Sequence, residues 1–461
     1  MKSVQRNFLL VLLLIFISRI PFIFSGYGVE EDAWAMRLVV ERIAISGNYE
    51  VSRLPGHPVQ ELIYSLIWNR GAVAFNLLTL LLSTAGFAFF MMSLYKLQIK
   101  NYLWAGVALA FVPVIYNNSA NALDYTWALS FLMMGFYFVV CNNVIVAGLF
   151  IAFAIGCRIT SGAMLLPYCY LAWHLFPSSR SVGTLVKLIS STILLSAFIF
   201  IPVYITYGFD FFEYYQHFPL PSFAKSFYKA SFAVWGTIGF GAVLISSVYV
   251  IIKLRNIHLN ALHRTVFITA IIAILLYLIA FIKLPLKAAF MVPLVPFVIV
   301  AFAVLLSQKQ LKVFALCMIA ACFLFGINLA DPYRAEKPSI LSYQKTIANQ
   351  RISLDLLQGP VIADYLKRKH QISFTESVID RTNSIKNKTV VIAGWWLASI
   401  LVLKPVVPNE MVMYRYYLTE TELQFYQKNG YVIYYLHQQD ELNDLRFNGI
   451  FTKKYASLLT I

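Results

Sequence analysis

GVEEDAWAMRLVVERIAISGNYEVSRLPGHPVQE, residues 28–61, is the stretch on which the reading of this chain turns. It lies between two long apolar segments, yet it carries Glu30, Glu31, Asp32, Glu41, Glu50 and Glu61 beside Arg37, Arg42, Arg53 and His57. These are six of the nine acids that precede residue 330. A chain that otherwise keeps carboxylates out, and then crowds them beside an apolar segment, is either displaying a surface loop or building a site. Charged groups near a bilayer are costly and gather where function needs them, which favours a site.

The rest of the composition says what surrounds that stretch. With 461 residues, 60% of them hydrophobic and only 13% charged, and a mean hydropathy of +0.70, the chain reads as a polytopic membrane protein. The excess of 37 Lys and Arg over 21 Asp and Glu is scattered singly between apolar runs, so it points to membrane orientation and anionic lipid rather than to nucleic acid. Cys141, Cys157, Cys169, Cys317 and Cys322 all lie in apolar segments without paired spacing, which predicts buried thiols rather than disulfides or a zinc site. Lys2 and Arg6 precede an apolar run from Phe8 to Phe24 that Arg19 and Pro21 interrupt, and no small-x-small cleavage site follows. An uncleaved anchor is therefore expected.

Apolar windows predict a mostly α-helical bundle of about eleven spans, near 7–24, 71–94, 102–116, 126–141, 143–157, 160–176, 184–206, 232–252, 266–282, 289–306 and 313–329. With the N-terminus in the cytoplasm, the inward connections hold basic residues and no acid, while the outward ones hold all nine acids of this part. The segregation puts the acidic loop, residues 25–70, on the outer side. An odd number of spans brings the tail out on that side too.

From residue 331 the character changes: the tail holds 12 of the 21 acids and 16 of the 37 bases. Residues 340–370 read as helix with a break at Gly359-Pro360. Thr389–Ala393 has the pattern of a buried strand followed by a turn of helix, Met411–Tyr417 alternates as a strand, Thr419–Lys428 reads as a helix ended by Asn429-Gly430, and Tyr431–Leu436 as another strand. That order predicts a small soluble α/β domain over 331–461, after a membrane domain over 1–330. No glycine-rich phosphate loop opens any of its helices, so the tail is expected to position substrate or support the fold.

Several residues could carry chemistry. Glu30-Glu31-Asp32 follows directly on the first span, where a low-dielectric interface raises a carboxylate's basicity; the same acids also suit the first turn of a helix over 33–45. Arg53 and His57 sit in SRLPGHPVQE, where Pro55-Gly56 and Pro58 shape a rigid turn, and could hold a phosphate or anchor an interfacial turn. Lys283 and Lys287 open another outer loop, KLPLKAAFMVPLVP. Arg158, between two apolar runs in GCRITSG, needs a partner or a hydrated cavity, and Asp124 in NALDYTW is the nearest opposite charge. Asp210, Glu213 and His217 lie in the aromatic outer loop GFDFFEYYQHFPLP, suited to sugar stacking or to interfacial anchoring.

The acidic motif on the first outer loop, with Glu31 and Asp32 directly after the first span, resembles the GT-C superfamily of membrane glycosyltransferases, which use polyprenyl-phosphate sugars. The likeness is closest to the protein O-mannosyltransferase-like branch and its bacterial relatives. Arg53-Leu54-Pro55-Gly56-His57-Pro58 looks like the proline- and glycine-rich segment typical of one branch, and Lys287 with Pro293 and Pro296 like a late motif in which a basic residue precedes a proline-punctuated helix. The resemblance covers roughly the first 330 residues, and the acidic loop is its most specific part. Here the motif is Glu-Glu-Asp rather than a simple pair, which leaves the choice of base between Asp32, the first candidate, and Glu31.

The resemblance implies an inverting hexosyl transfer from a polyprenyl-phosphate sugar to a hydroxyl on a protein, lipid or glycan acceptor, in a membrane such as the bacterial inner membrane, with the acidic loop in the periplasm. Asp32 or Glu31 would deprotonate the acceptor, and Arg53, His57, Arg158, Lys283 and Lys287 would supply the contacts to the departing phosphate. No cofactor is required; a divalent cation near Glu31 and Asp32 is compatible with the pattern, though the spacing demands none. Two other classes remain open from the sequence: a transporter or flippase of a lipid-linked or anionic substrate, and a non-catalytic scaffold that presents the tail.

Overall fold

The computed structural model describes residues 2–176, 182–209, 220–254, 259–329, 341–347, 350–404, 410–436 and 457–459. Its elements in chain order begin with α1 (Lys2–Arg19), α2 (Glu31–Ser46), α3 (Pro58–Ser65), α4 (Gly71–Lys96), α5 (Tyr102–Ala110), α6 (Pro113–Asn118), α7 (Tyr125–Val140) and α8 (Val144–Cys157). There follow α9 (Leu165–Leu175), α10 (Val182–Tyr207), α11 (Phe223–Ala230), α12 (Phe232–Trp235), α13 (Thr237–Leu254), α14 (Ala261–Lys283), α15 (Val295–Leu305) and α16 (Gln308–Phe323). The remainder mixes strands and helices: β1 (Phe325–Leu329), β2 (Ser342–Ile347), β3 (Gln350–Leu356), α17 (Pro360–Asn383), β4 (Thr389–Ile392), α18 (Leu397–Leu403), β5 (Val412–Arg415), α19 (Glu420–Lys428), β6 (Val432–Tyr435) and β7 (Ser457–Leu458).

The protein is a multi-pass membrane protein built mainly of helices. Among the described residues five helical segments are long and apolar enough to cross a bilayer: Gln5–Phe22, Trp68–Lys96, Val182–Tyr207, Ala261–Lys283 and Ala288–Leu305. A sixth is obtained if Phe223–Trp235 and Thr237–Lys253, bent by 93° at Gly236, are taken as one broken span. Other apolar windows fall on shorter helices. The window at 102–116 splits into α5 and α6 at Pro113, which cannot donate the backbone bond a continuous helix needs, and α7 and α8 have 16 and 14 residues. Hydropathy counts apolar residues; it does not see where the backbone turns.

The bundle is held by α4 along α7, α7 along α8, and α8 along α10. At the α4–α7 crossing a Cβ on Gly86 would lie 2.8 Å from Ser130 Cα, so only glycine allows this approach. Arg19, fully buried in α1, donates to the Ala110 carbonyl at the end of α5, to the Ile15 carbonyl and to Ser119 Oγ, with its guanidinium 4.2 Å from the Tyr116 ring centroid. It thereby caps backbone left open where the α5–α6 segment breaks.

Two expectations for the later chain are corrected. The segment ending the last apolar window is strand, not helix: β1 pairs antiparallel with β3, which pairs antiparallel with β2, with Phe325 opposite Leu356 and Tyr343 opposite Leu354. The helix read over 340–370 begins only at Pro360, after Gly359, because 342–347 and 350–356 are the hairpin strands of that sheet. Short runs such as SYQKTI and QRISLDL have no decisive period, and the partner strand β1 settles their conformation.

The strands read at 389–393, 411–417 and 431–436 are present as β4, β5 and β6, with a capping box from Thr419 to Glu422 opening α19 between the last two. They form a parallel sheet of order β5-β4-β6-β7, in which β4 is buried along its whole length. Val391 packs with Val378, Trp396 and Ile400 from α17 and the segment around α18, while Val390 and Ile392 pack with Leu418, Leu423 and Ile433 on the other face. Helix α18 also lies on α2, and α17 lies on α6 and α16, so this sheet is seated beside the acidic loop.

Candidate active site

The site starts where α1 gives way to α2. Gly26 has φ +76°, a left-handed conformation that turns the chain out of the first span, and Trp34 Nε1 donates to the Gly28 carbonyl at 3.0 Å to close the turn. Glu30 is the N-cap residue of α2 but makes no side-chain capping bond; Glu31 and Asp32 occupy the first turn. The acids are thus held by a helix N-terminus and spend their side chains elsewhere.

They spend them on cations from distant segments. Arg53 Nη1 lies 2.6 Å from Asp32 Oδ2, and its Nη2 lies 2.5 Å from Asp124 Oδ1. Arg158 Nη1 binds Asp124 Oδ2 at 2.6 Å, so Asp124 carries two guanidinium groups, one per oxygen. Lys287 Nζ lies 2.5 Å from Asp32 Oδ2 and also binds Glu30. Side-chain exposure rises from 1% at Asp124 through 13% at Arg53 and 23% at Asp32 to 32% at Lys287. The cluster is therefore anchored at Asp124 and opens to solvent at Asp32 and Lys287.

The charges set one another's protonation. Burial alone would raise the Asp32 carboxyl, but Arg53 and Lys287 outweigh it and hold the group well below the usual carboxylate range. Burial would likewise lower the Lys287 ammonium, but Asp32 and Glu30 push it well above the usual lysine range. Both stay charged across any ordinary pH.

The turn carrying Arg53 is shaped by Glu61. Its carboxylate accepts from Tyr49 Oη at 2.5 Å, from the Ser52 amide and hydroxyl at 2.7 Å each, and from the His57 amide at 3.0 Å. Glu61 is fully buried, so this acid of the loop is a fastener for the turn. Glu41 and Glu50 are paired with Arg37 and Arg42 toward the surface.

Of the five basic residues expected to face a phosphate, Arg53, Arg158 and Lys287 converge. His57 sits beside them, 3.8 Å from Asp124, but burial lowers its pKa and favours the neutral ring. Its Nδ1 lies 2.5 Å from the Cys157 carbonyl and must carry the proton there, which leaves Nε2 without one. His57 is thus set to orient the loop rather than to offer charge. Lys283 is exposed at the end of α14 and, among the described residues, makes none of the cluster's ion pairs. Asp210, Glu213 and His217 lie outside the described residues.

Tyr416, Tyr125, Phe290 and Ser161 escaped sequence reading. Tyr416, directly after β5, donates to Glu31 Oε2 at 2.9 Å, joining the tail sheet to the acidic motif. Arg158 stacks on Tyr125 with 4.3 Å to the ring centroid, and on Phe290 at 5.2 Å. Tyr125 Oη and Ser161 Oγ are buried near the cluster with no hydrogen-bond partner among the described residues, as is His57 Nε2. Only the position of Tyr125 beside Asp124 could have flagged it. No three His, Cys, Asp or Glu side chains among the described residues converge as metal ligands, and the carboxylates of the cluster already hold cations.

No family profile and no curated protein sequence matches the chain. Solved structures do resemble it in fold. ArnT from Cupriavidus metallidurans bound to undecaprenyl phosphate superimposes with a TM-score of 0.54 at 14% identity, over 99% of this chain and 89% of that one. The apo state of the same protein gives a TM-score of 0.51 at 13% identity over the same shares. The likeness is one of fold: over nearly its whole length the chain shares the fold of this ArnT.

Proposed function

We propose that the protein transfers a sugar from a polyprenyl-phosphate donor to an acceptor hydroxyl at the Asp32–Arg53–Lys287 cluster. The observation that carries this reading is the convergence of Arg53, Arg158 and Lys287 on the linked carboxylates Asp32 and Asp124, with the unpartnered Tyr125 hydroxyl among them. Three cations from separate segments suit a departing phosphate, which accepts several charge-assisted bonds at once. The fold shared with ArnT bound to undecaprenyl phosphate supports a lipid-phosphate donor and agrees with the GT-C resemblance of the acidic motif.

Asp32 is the base in this proposal and Glu31, held by Tyr416, is the second candidate and orients the acceptor. A carboxylate tied to Arg53 and Lys287 is a weak base on its own. A donor phosphate competes for the same two cations and, by drawing them off, returns basicity to Asp32 when a sugar is bound. The acceptor oxygen then attacks the anomeric carbon, its proton passes to Asp32, and the bond to the phosphate oxygen breaks on the opposite face, with inversion. A hexose of the mannosyl kind, a periplasmic site on a bacterial inner membrane, and a tail that guides the acceptor complete the proposal. The chemistry uses no cofactor.

The experiment is to incubate the purified protein in nanodiscs with a panel of labelled polyprenyl-phosphate sugars and acceptors, and to compare it with Asp32→Asn. Release of lipid phosphate by the parent and its loss in the folded variant support transfer. A parent that moves label across the membrane without cleaving it is a transporter, and one indifferent to Asp32 in every assay is a scaffold; either result ends the proposal.

A further inference from the structure

Helix α11 is amphipathic in the reverse sense to a helix on a soluble protein. Its aromatic side is the open one: Phe223 is 85% exposed and Phe227, one turn on, 51%. The polar side faces protein, where Tyr228 Oη donates to the Ile327 carbonyl at 2.8 Å and Lys229 Nζ to the Leu286 carbonyl at 2.5 Å. A soluble helix with this sequence would bury its phenylalanines and solvate its lysines. The bend places α11 across the line of α13. Gly236 has φ +69°, and a Cβ there would lie 2.9 Å from the Ala321 carbonyl, so the turn is fixed by a position that accepts only glycine.

The sheet that α11 touches repeats the inversion. On one face, Ser353 and Asp355 are buried. On the other, Leu354, Leu356, Leu341 and Tyr343 are between 38% and 67% exposed. Tyr343 stands directly opposite Leu354. Two neighbouring elements of different secondary structure therefore turn apolar side chains outward and polar ones inward. Both adjoin α13, whose exposed Leu244, Ile245, Val248, Ile251 and Ile252 continue the apolar surface along a candidate membrane segment.

We propose that α11 and the outer face of the β1–β3–β2 sheet are seated in the bilayer at the boundary of headgroups and acyl chains, and that Lys229 passes this seating to Lys287. Continuity with α13 argues for a phospholipid surface as the occupant, and the reversed polarity argues against water. The connection is one residue long: Lys229 holds the carbonyl of Leu286, and the next residue, Lys287, bridges Glu30 and Asp32. Lys229 is a positioning residue for that ammonium. The lipid seat stands whatever the protein catalyses; the meaning of its link to Lys287 rests on the donor-phosphate reading above.

The test uses the full-length protein in phospholipid nanodiscs. Phe223→Trp and Tyr343→Trp each add fluorescence over the parent's tryptophans. Lipids brominated near the glycerol end of the acyl chain are expected to reduce that added signal about twofold or more, while aqueous acrylamide leaves it largely intact. The opposite pattern, acrylamide quenching without bromolipid quenching, overturns the seat. For the link, amide hydrogen exchange over residues 284–292 is expected to quicken in Lys229→Met and in the double variant Phe223→Ser/Phe227→Ser, and to stay at the parent's rate in Lys229→Arg. Unchanged exchange in Lys229→Met, or equal acceleration in Lys229→Arg, removes the link. Neither readout depends on sugar transfer, so failure here and failure of the enzymatic reading are separable.

Discussion

Replacing Arg53 by lysine tests the site most directly, because the substitution keeps the charge and removes only the fork. One Arg53 nitrogen serves Asp32 at 2.6 Å and the other serves Asp124 at 2.5 Å, two carboxylates on different elements. A lysine ammonium is a single point at the end of a flexible stem and cannot hold both. Breaking a buried pair by removing one partner costs ~3–5 kcal/mol when the charge left behind has nothing else. Asp124 keeps Arg158 and Asp32 keeps Lys287, so the folding penalty of Arg53→Lys is expected at about 1–2 kcal/mol, and of Arg53→Ala at about 1–3 kcal/mol. Catalysis is more sensitive, since a misplaced cation no longer meets the charge developing on the phosphate. Transfer is expected to fall ~100–1000-fold in Arg53→Ala and nearly as far in Arg53→Lys. The assays are release of lipid phosphate from the labelled donor and a thermal melt in the same nanodiscs. Transfer by Arg53→Lys within about threefold of the parent would show that charge alone suffices and that the two-carboxylate bridge has no part in the chemistry.

Other outcomes follow from the same geometry. Tyr416→Phe removes a hydroxyl that ties the tail to Glu31, and is expected to slow transfer about 3–10-fold with little change in melting temperature. Arg19→Leu frees the Ala110 carbonyl at the end of α5 and should lower stability by about 1–3 kcal/mol, read as a lowered melting temperature, although Arg19 lies outside the charged cluster. Burial lowers the His57 pKa below 6.5, so the neutral ring contributes stability that is present above pH 6.5 and drains as pH falls from there toward the lowered folded value. His57→Asn should flatten that part of a melting-temperature profile, and an unaltered slope would assign it to another group. Since the cluster's carboxylates are already engaged, a chelator is expected to leave transfer unchanged within about twofold, measured against added Mg²⁺ and Mn²⁺.

The sequence alone located the acidic motif, because carboxylates are rare in an apolar chain and their clustering after the first span is visible without any fold. It also read the strands and helix of 389–436, where the strand patterns and Asn429-Gly430 are local signals. What it could not decide is convergence. Lys283 and Lys287 are indistinguishable in KLPLKAAF, yet one is exposed and the other binds an acid 255 residues away. Glu61 reads like its neighbours and proves to be the fastener of a turn. Tyr416 has no sequence mark at all, since its meaning is the carboxylate it meets 385 residues upstream. Segments 325–329 and 342–356, expected within helices, are strands because each supplies the other with hydrogen-bond partners. Local patterns are fixed by the chemistry of adjacent residues, whereas ion pairs and sheet ladders are fixed by which distant segments pack together. That is why the acidic motif was legible in the chain and the cations that complete it were settled only by the packed structure.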